Sequence, residues 1–187
     1  MFDHHLSKIR FKVVPGITEG KVNRVTLHSL KVDSKYKGTF RVASKTRQQG
    51  IKFDSEAGVK TFEMREEDDS PLQEHVILTL SGGEEPSEGE YVGGYLLVAP
   101  SNQGYYIRMD MSEIRDFGGP NEESLNMMTY DTFIYRGLRE APDPFEPGDE
   151  YTVTLRVFGR ADVRVEVEMQ PWENGGYVIP ETEDIPE

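Results

Sequence analysis

The sequence predicts an all-β protein, an antiparallel β-sandwich with at most one or two short helices. Hydrophobic and polar residues alternate over four long segments, which is typical of strands with one face in the core and one in water. Glycine and proline recur between these segments, as they do in the turns of all-β domains. A length of 187 residues suits one such domain with a sizeable core.

The four strongest strands are predicted around residues 9–13, 105–111, 151–157 and 163–167. Residues 158–162 lie between the last two and are typical of a hairpin turn. The alternation in this hairpin predicts which side chains face the core and which face solvent. We expect buried side chains at Val153, Leu155, Val163 and Val165. We expect exposed side chains at Arg164 and Glu166.

Six weaker strands are predicted at residues 24–32, 38–43, 59–64, 75–80, 91–99 and 128–136. In the first of them the hydrophobic parity changes near His28 and Ser29, which predicts a β-bulge or short turn there. Gly93 and Gly94 interrupt another strand and indicate a bulge or a close backbone contact. The one segment with helical character is 112–117, continuing through 122–127, where Ser112 could cap a first turn.

One domain is predicted over residues 1–173, followed by an acidic, proline-containing tail at 174–187. Trp172 is the only tryptophan, and it is expected to close one end of the core after the last strand. The N-terminus lacks the pattern of a signal peptide, and no apolar stretch reaches the roughly 20 residues of a membrane helix. The abrupt, strand-like start predicts a domain from a longer precursor whose export signal lies upstream.

The composition is acidic, with 21 Lys and Arg against 34 Asp and Glu, a net charge of −13. This charge disfavours general binding to nucleic acid or to anionic membranes. It is unevenly distributed: residues 1–60 hold 13 basic and five acidic residues, a net of +8, and the remaining residues hold eight and 29, a net of −21. Either basic strands lie beside acidic ones, or a polar molecule uses opposite patches for head-to-tail contacts.

The residue types that carry common chemistries are scarce or scattered. The chain has no cysteine, which excludes disulfides, thiolate metal sites and a cysteine nucleophile. His4 and His5 are adjacent, so on a strand they face opposite ways, and His28 and His75 stand alone. No nucleophile elbow, phosphate loop or calcium loop of the DxDxDG type is present. We therefore predict no catalytic residue, no metal and no cofactor, although calcium in an acidic loop stays open.

Three segments together resemble fimbrillin-like proteins, the type V pilins of Gram-negative anaerobes. Residues 2–11 (FDHHLSKIRF) are similar to the opening strand of that family. Residues 94–100 (GYLLVAP), reaching Gln103 and Ile107, are similar to its middle strand and turn, with Ser101 and Asn102 inserted. The closing part, with FEPG at 145–148, two alternating strands and PWENGG at 171–176, is similar to its C-terminal hairpin.

The resemblance implies a transthyretin-like, Greek-key β-sandwich that matches the second of two tandem domains. It implies a non-enzymatic fimbrial or pilus subunit, or a cell-surface adhesin domain, located on outer-membrane-associated fimbriae. The implied partners are other pilus subunits or ligands on host or bacterial surfaces, without nucleic acid and without direct membrane insertion by this segment. It further implies that the tail, with the β-prone Tyr177, Val178 and Ile179, is given to a neighbour's groove or pairs with its own sheet. The terminal location, with Pro180 and Pro186, is equally compatible with a frayed acidic end.

Two other functions remain open on the sequence alone. A surface carbohydrate-binding β-sandwich module would need an exposed aromatic platform, and the candidates for its rings are Tyr105, Tyr106, Tyr130 and Tyr135. A glycan-cleaving enzyme would need two carboxylates that converge across a cleft.

Overall fold

The computed structural model describes residues 5–41, 50–54, 58–82 and 88–171. These residues form fifteen strands. They are β1 (Ser7–Pro15), β2 (Ile17–Thr18), β3 (Arg24–Lys35), β4 (Gly38–Arg41), β5 (Gly50–Phe53), β6 (Val59–Glu63), β7 (His75–Leu78), β8 (Leu80–Ser81), β9 (Glu90–Val98), β10 (Tyr105–Arg115), β11 (Glu123–Ile134), β12 (Arg136–Leu138), β13 (Ala141–Asp143), β14 (Asp149–Gly159) and β15 (Asp162–Pro171).

Two larger sheets make up the sandwich. The β1 sheet has the order β15-β14-β1-β9, and the β10 sheet has the order β11-β10-β3-β6, with β7 also paired to β3. Most pairings are antiparallel, but β1 pairs with β14, and β2 with β8, in parallel. The predicted all-β sandwich is confirmed, and the transthyretin-like topology stays a prediction.

The core lies between the inner faces of these two sheets. Phe11, Val153 and Leu155 are fully buried on the β1 sheet, and Leu30 and Ile107 on the β10 sheet. Their burial follows from the alternation of each strand, which turns every second side chain inward. Burial of this apolar surface is the main favourable term in folding.

An aromatic cluster fills one part of the core. The ring of Phe145 stands edge-on to Tyr105, with 4.9 Å between centroids, and lies 4.7 Å from the Tyr151 ring. The chain reaches this position because Phe145 and Ser101 form an isolated backbone bridge. The segment before β14 is thereby tied to the loop between β9 and β10.

The predicted register of the last hairpin is confirmed. Val153, Leu155 and Val163 are buried and Val165 is half-buried. Arg164 and Glu166 are exposed on the opposite face. The hairpin turns at Arg160 and Ala161, between the paired residues Gly159 and Asp162.

The predicted helix at 112–117 and 122–127 is wrong. Strand β10 continues to Arg115, the chain turns at 116–119, and β11 starts at Glu123. Glu113 interrupts the alternation of apolar and polar residues along β10, because this polar residue occupies an inward position, where the pattern elsewhere has apolar side chains. Its buried carboxylate accepts hydrogen bonds from the Arg160 backbone N–H (3.2 Å) and the Arg115 guanidinium (3.3 Å). No helix occurs within the described ranges.

Both predicted irregularities are present. His28 is the extra residue of a bulge in β3, because Ser29 pairs with Asp110 while Leu27 already pairs with Met111. At Gly93, φ is +63° and an added Cβ would lie 2.5 Å from the Arg65 carbonyl oxygen. The neighbouring Gly94 N–H donates to that same oxygen at 2.8 Å, so the backbones of two segments touch here.

Basic and acidic residues from distant parts of the chain are paired. Lys8 contacts Glu150 at 2.8 Å, and Lys31 contacts Asp110 at 3.0 Å. These contacts support the interpretation that basic strands lie beside acidic ones in one sandwich.

The predicted core closure by Trp172 and the tail at 174–187 lie outside the described residues. The boundary between the domain at 1–173 and the tail therefore stays a prediction.

Candidate functional site

The outer face of the β10 sheet carries the densest polar network in the described part of the chain. Strands β3 and β10 form its centre, β6 and β7 flank them on one side and β11 on the other. Outward side chains of these strands form three hydrogen-bonded clusters, centred on Asp33, Asp110 and His28.

The first cluster joins Asp33, Arg108 and Thr61. Arg108 Nη2 lies 2.7 and 2.6 Å from the two carboxylate oxygens of Asp33, and Thr61 Oγ1 donates to the same carboxylate at 2.6 Å. Partial desolvation acts to raise the pKa of Asp33, but the hydrogen bonds from Thr61 and Arg108 outweigh it, so the pKa falls below its usual value. The carboxylate and the guanidinium thus neutralise one another and hold both side chains in place.

The second cluster surrounds Asp110. Its carboxylate accepts hydrogen bonds from Ser29 Oγ, from Thr129 Oγ1 at 2.6 Å and from Lys31 Nζ at 3.0 Å. The hydrogen bonds from Ser29 and Thr129 are the main causes that lower its pKa to about 2. A carboxyl group held ionised in this way is unsuited to be the general acid of a glycan-cleaving enzyme near neutral pH.

The third cluster places a serine, a histidine and a glutamate in line. His28 Nε2 lies 2.8 Å from Ser112 Oγ, and His28 Nδ1 lies 2.9 Å from Glu74 Oε1. This order of atoms is that of the nucleophile, base and acid in serine hydrolases. Sequence analysis did not find the cluster, because its members are 84 and 46 residues from His28 and only the bulge at His28 signals an irregularity there.

Ser112 lies within strand β10, where it is paired with Thr26 of β3 and falls at a register shift against β11. Hydrolytic sites aim preorganised donors, usually backbone N–H groups, at the developing oxyanion. Strand β10 is paired with β3 on one side and with β11 on the other, so its N–H groups lie within the plane of the sheet. Glu74 is also well exposed, with 68% of its side chain accessible. Both ring nitrogens of His28, the extra residue of the bulge, have hydrogen-bond partners in this cluster.

The four tyrosines named as an aromatic platform do not form one. Tyr105 is buried, its hydroxyl donates to the Ala99 carbonyl at 2.7 Å, and burial is the main cause that raises its pKa. Tyr130 and Tyr135 are half-buried, and the Tyr130 hydroxyl donates to the Val163 carbonyl at 3.2 Å. Of the four, Tyr106 is exposed, because consecutive residues of a strand face opposite sides.

A cleft of about 410 Å³ opens at the end of the sandwich that carries the loop between β9 and β10. Its walls come from the end of β3, the start of β6 and the loop that joins β9 to β10. The lining residues are Asp33, Ser34, Lys35, Val59, Ala99, Pro100, Ser101, Asn102, Gln103, Gly104 and Tyr105. This loop belongs to the middle segment of the family resemblance, and it includes the inserted Ser101 and Asn102.

The other predicted site features have no counterpart in the described residues. Tyr177, Val178 and Ile179 lie outside them. Within residues 5–41, 50–54, 58–82 and 88–171, no group of three or more histidine, aspartate or glutamate side chains could hold a metal ion. Those same ranges contain no helix long and apolar enough to cross a bilayer.

Comparison with known proteins finds likenesses among solved structures. No family model and no curated protein sequence matches the chain. A fimbrial protein from Bacteroides vulgatus is similar with a TM-score of 0.49 and 13% identity, over 92% of this chain and 56% of that one. A protein described as a cell adhesion protein from Bacteroides ovatus is similar with a TM-score of 0.39 and 15% identity, over 93% and 47%. The chain thus spans about half the length of these solved structures.

We predict that Asp110→Asn lowers the free energy of unfolding by about 1 to 2 kcal/mol at pH 7. Because the pKa of Asp110 is lowered to about 2 in the folded protein, its contribution is present above the pKa of the unfolded chain. It is lost as the pH falls from about 4 towards 2. Urea unfolding of wild type and variant at pH 7, 5 and 3 measures the difference.

The exposed Glu166→Gln exchange on β15 is the matched control and should leave stability within about 0.5 kcal/mol. A difference between wild type and Asp110→Asn that is the same at pH 7 and pH 3 would contradict the assignment.

Proposed function

We propose that this chain is a non-enzymatic domain of a fimbrial or pilus subunit, or of a cell-surface adhesin. The observation that carries the proposal is the assembly of the three fimbrillin-like segments into one sheet. The opening segment forms β1, the middle segment forms β9, and the closing segment forms β14 and β15. Although they come from the start, middle and end of the chain, these strands make up the whole β1 sheet.

The pairing within this sheet supports a common origin for the three resemblances. Strand β1 is antiparallel to β9 on one side and parallel to β14 on the other, so all three segments meet at one strand. A chance likeness in three unrelated segments would have no reason to fall on neighbouring strands. The resemblance therefore extends from sequence motifs to a shared structural unit.

The edge of the β1 sheet at β15 suits strand addition. Among the described strands, β15 pairs on one side only, with β14. Its inward side chains become more accessible along the strand: Val163 is buried, Val165 and Val167 are half-buried, and Met169 is 44% exposed. An edge that leaves inward apolar side chains accessible can accept a further strand.

The tail supplies a candidate for that strand. Tyr177, Val178 and Ile179 are β-prone residues between Gly175-Gly176 and Pro180, a few residues after β15. In this proposal they pair with a neighbouring subunit, or fold back on their own sheet while the subunit is alone. Trp172 closes the end of the core, and residues 174–187 form the tail beyond the domain.

The proposed setting is the cell surface. Partners are other pilus subunits or ligands on host or bacterial surfaces. The net charge of −13 argues against nucleic acid as a partner. The domain does not itself insert into the membrane in this proposal.

We predict that truncation after Asn174 in the full-length protein shortens or abolishes the polymer on cells. The physical reason is the loss of the Tyr177–Ile179 strand and its backbone hydrogen bonds to a sheet edge. Electron microscopy of the cell surface measures polymer length. The control deletes residues 181–187 alone, which removes acidic residues but keeps the strand. Polymers of normal length after the longer truncation would eliminate the tail as a donor.

We also predict that Ser112 does not react with a fluorophosphonate probe, since a non-enzymatic domain has no need of preorganised oxyanion donors beside this hydroxyl. Mass spectrometry of the treated protein detects any covalent adduct, and Ser112→Ala sets the background. An adduct on Ser112 that disappears in His28→Ala would overturn the non-enzymatic part of the proposal.

A further inference from the structure

An exposed aromatic pair lies on the outer face of the β10 sheet. Tyr106 on β10 and Phe133 on β11 are directly opposite one another in the strand register. Their exposures are 41% and 44%, which is unusual for two neighbouring large rings. On the other side, Tyr106 is paired with Asp33 of β3. A row of Phe133, Tyr106 and Asp33 therefore crosses three strands.

The Tyr106 ring is held in position by charged neighbours. The Arg108 guanidinium carbon lies 5.9 Å from the centre of the Tyr106 ring, and Arg108 is itself fixed by Asp33. The hydroxyl of Tyr106 interacts with the carboxylate of Asp131, which faces Arg108 from β11. Fixed rings lose little conformational entropy when a ligand binds, so this arrangement is prepared for contact.

The Phe133 ring borders the cleft at the end of the sandwich. Gly104 lines that cleft, and a Cβ added to Gly104 would lie 3.0 Å from Phe133 Cε1 and 2.0 Å from the Ile134 carbonyl oxygen. The φ of Gly104 is +117°, in a region that glycine adopts easily. Glycine at this position thus lets the loop approach β11 closely, so that Phe133 lies next to Gly104, which lines the cleft, while Phe133 itself lies outside the lining.

The cleft adds neutral polar groups beside the rings. Asn102 and Gln103 are exposed on its wall, and each amide can both donate and accept hydrogen bonds. Ser101 shapes the loop, since its hydroxyl donates to the Gly104 carbonyl at 2.8 Å and accepts from the Gly104 N–H at 3.0 Å. Asp33, the one acid among the lining residues, is paired with Arg108, and the exposed Lys35 contributes a single positive charge to the wall.

We infer that Tyr106 and Phe133, together with Asn102 and Gln103, form a binding site for a neutral oligosaccharide. The C–H faces of pyranose rings pack on aromatic side chains, and sugar hydroxyls need groups that both donate and accept. Both are present side by side: the exposed rings lie on the sheet face, and the amides line the adjoining cleft, whose size is typical of small-ligand sites. The inference rests on the proposed adhesin role and gives its ligand a chemical class. It differs from the four-tyrosine platform, because Phe133 and the loop amides replace Tyr105, Tyr130 and Tyr135.

The test is binding of the complete 187-residue chain to a panel of neutral oligosaccharides built from glucose, galactose, mannose, fucose and N-acetylhexosamines. Isothermal titration should detect at least one with a Kd in the millimolar range or tighter. Tyr106→Ala and Phe133→Ala should each weaken it about tenfold or more, which corresponds to about 1.4 kcal/mol. Gln103→Ala should weaken it about threefold, and Tyr106→Phe should retain most of it.

Tyr95→Ala is the matched control, because Tyr95 is 50% exposed on the outer face of the β1 sheet, away from this cleft. Thermal unfolding verifies that each variant is folded. The inference fails if no oligosaccharide of the panel binds at millimolar concentration, or if Tyr106→Ala and Tyr95→Ala bind equally. Absence of binding by a protein that still assembles into surface polymers would refute this site alone. Binding without assembly would refute the subunit role alone.

Discussion

The parallel pairing of β1 with β14 is the contact on which the rest of the molecule depends. It joins residues 8–15 to residues 150–157, so nearly the whole chain lies between the two partners. Without it, the β1 sheet would separate into the β14–β15 hairpin and the antiparallel β1–β9 pair. The side chains of Ile9 and Phe11 on β1 are fully buried, and they face the core between the β1 sheet and the β10 sheet. The two ends of the domain must therefore meet before a continuous core exists, which is typical of slow-folding, non-local β topologies.

This constraint also organises the surfaces to which functions are assigned. The β1 sheet ends at β15, whose inward apolar side chains become accessible towards Met169, and this is the edge proposed for strand addition. In the β10 sheet, strand β10 is paired on both sides, with β3 and with β11. The outer face of these three strands carries the hydrogen-bonded side chains. Arg108 and Asp33 fix one another there and border Tyr106. In these proposals, assembly involves a sheet edge, and ligand binding involves a sheet face and a loop.

The sequence predicts the strands well where one face is apolar throughout. Alternation places β1, β10, β14 and β15, and a change of parity locates the bulge at His28. It fails at Glu113, since a buried carboxylate satisfied by distant donors looks, in sequence, like the end of a strand. Pairing partners are not local information: nothing near Arg10 indicates that its neighbour is Thr152. For the same reason the His28 cluster and the Tyr106–Phe133 pair could not be predicted from the sequence, because their members lie on strands whose pairing only the structure shows.

The most direct test of this account is disulfide cross-linking of β1 to β14, in a chain that has no native cysteine to interfere. Two double variants are oxidised separately: Lys12→Cys with Thr154→Cys, and Arg10→Cys with Thr152→Cys. Both pairs are directly opposite in the parallel register, within the Cα separation that a disulfide spans. The account predicts that both close within one molecule, as shown by mass spectrometry under non-reducing conditions. An antiparallel arrangement would allow a disulfide in only one of the two double variants. A disulfide in only one of them, or in neither, would contradict the account.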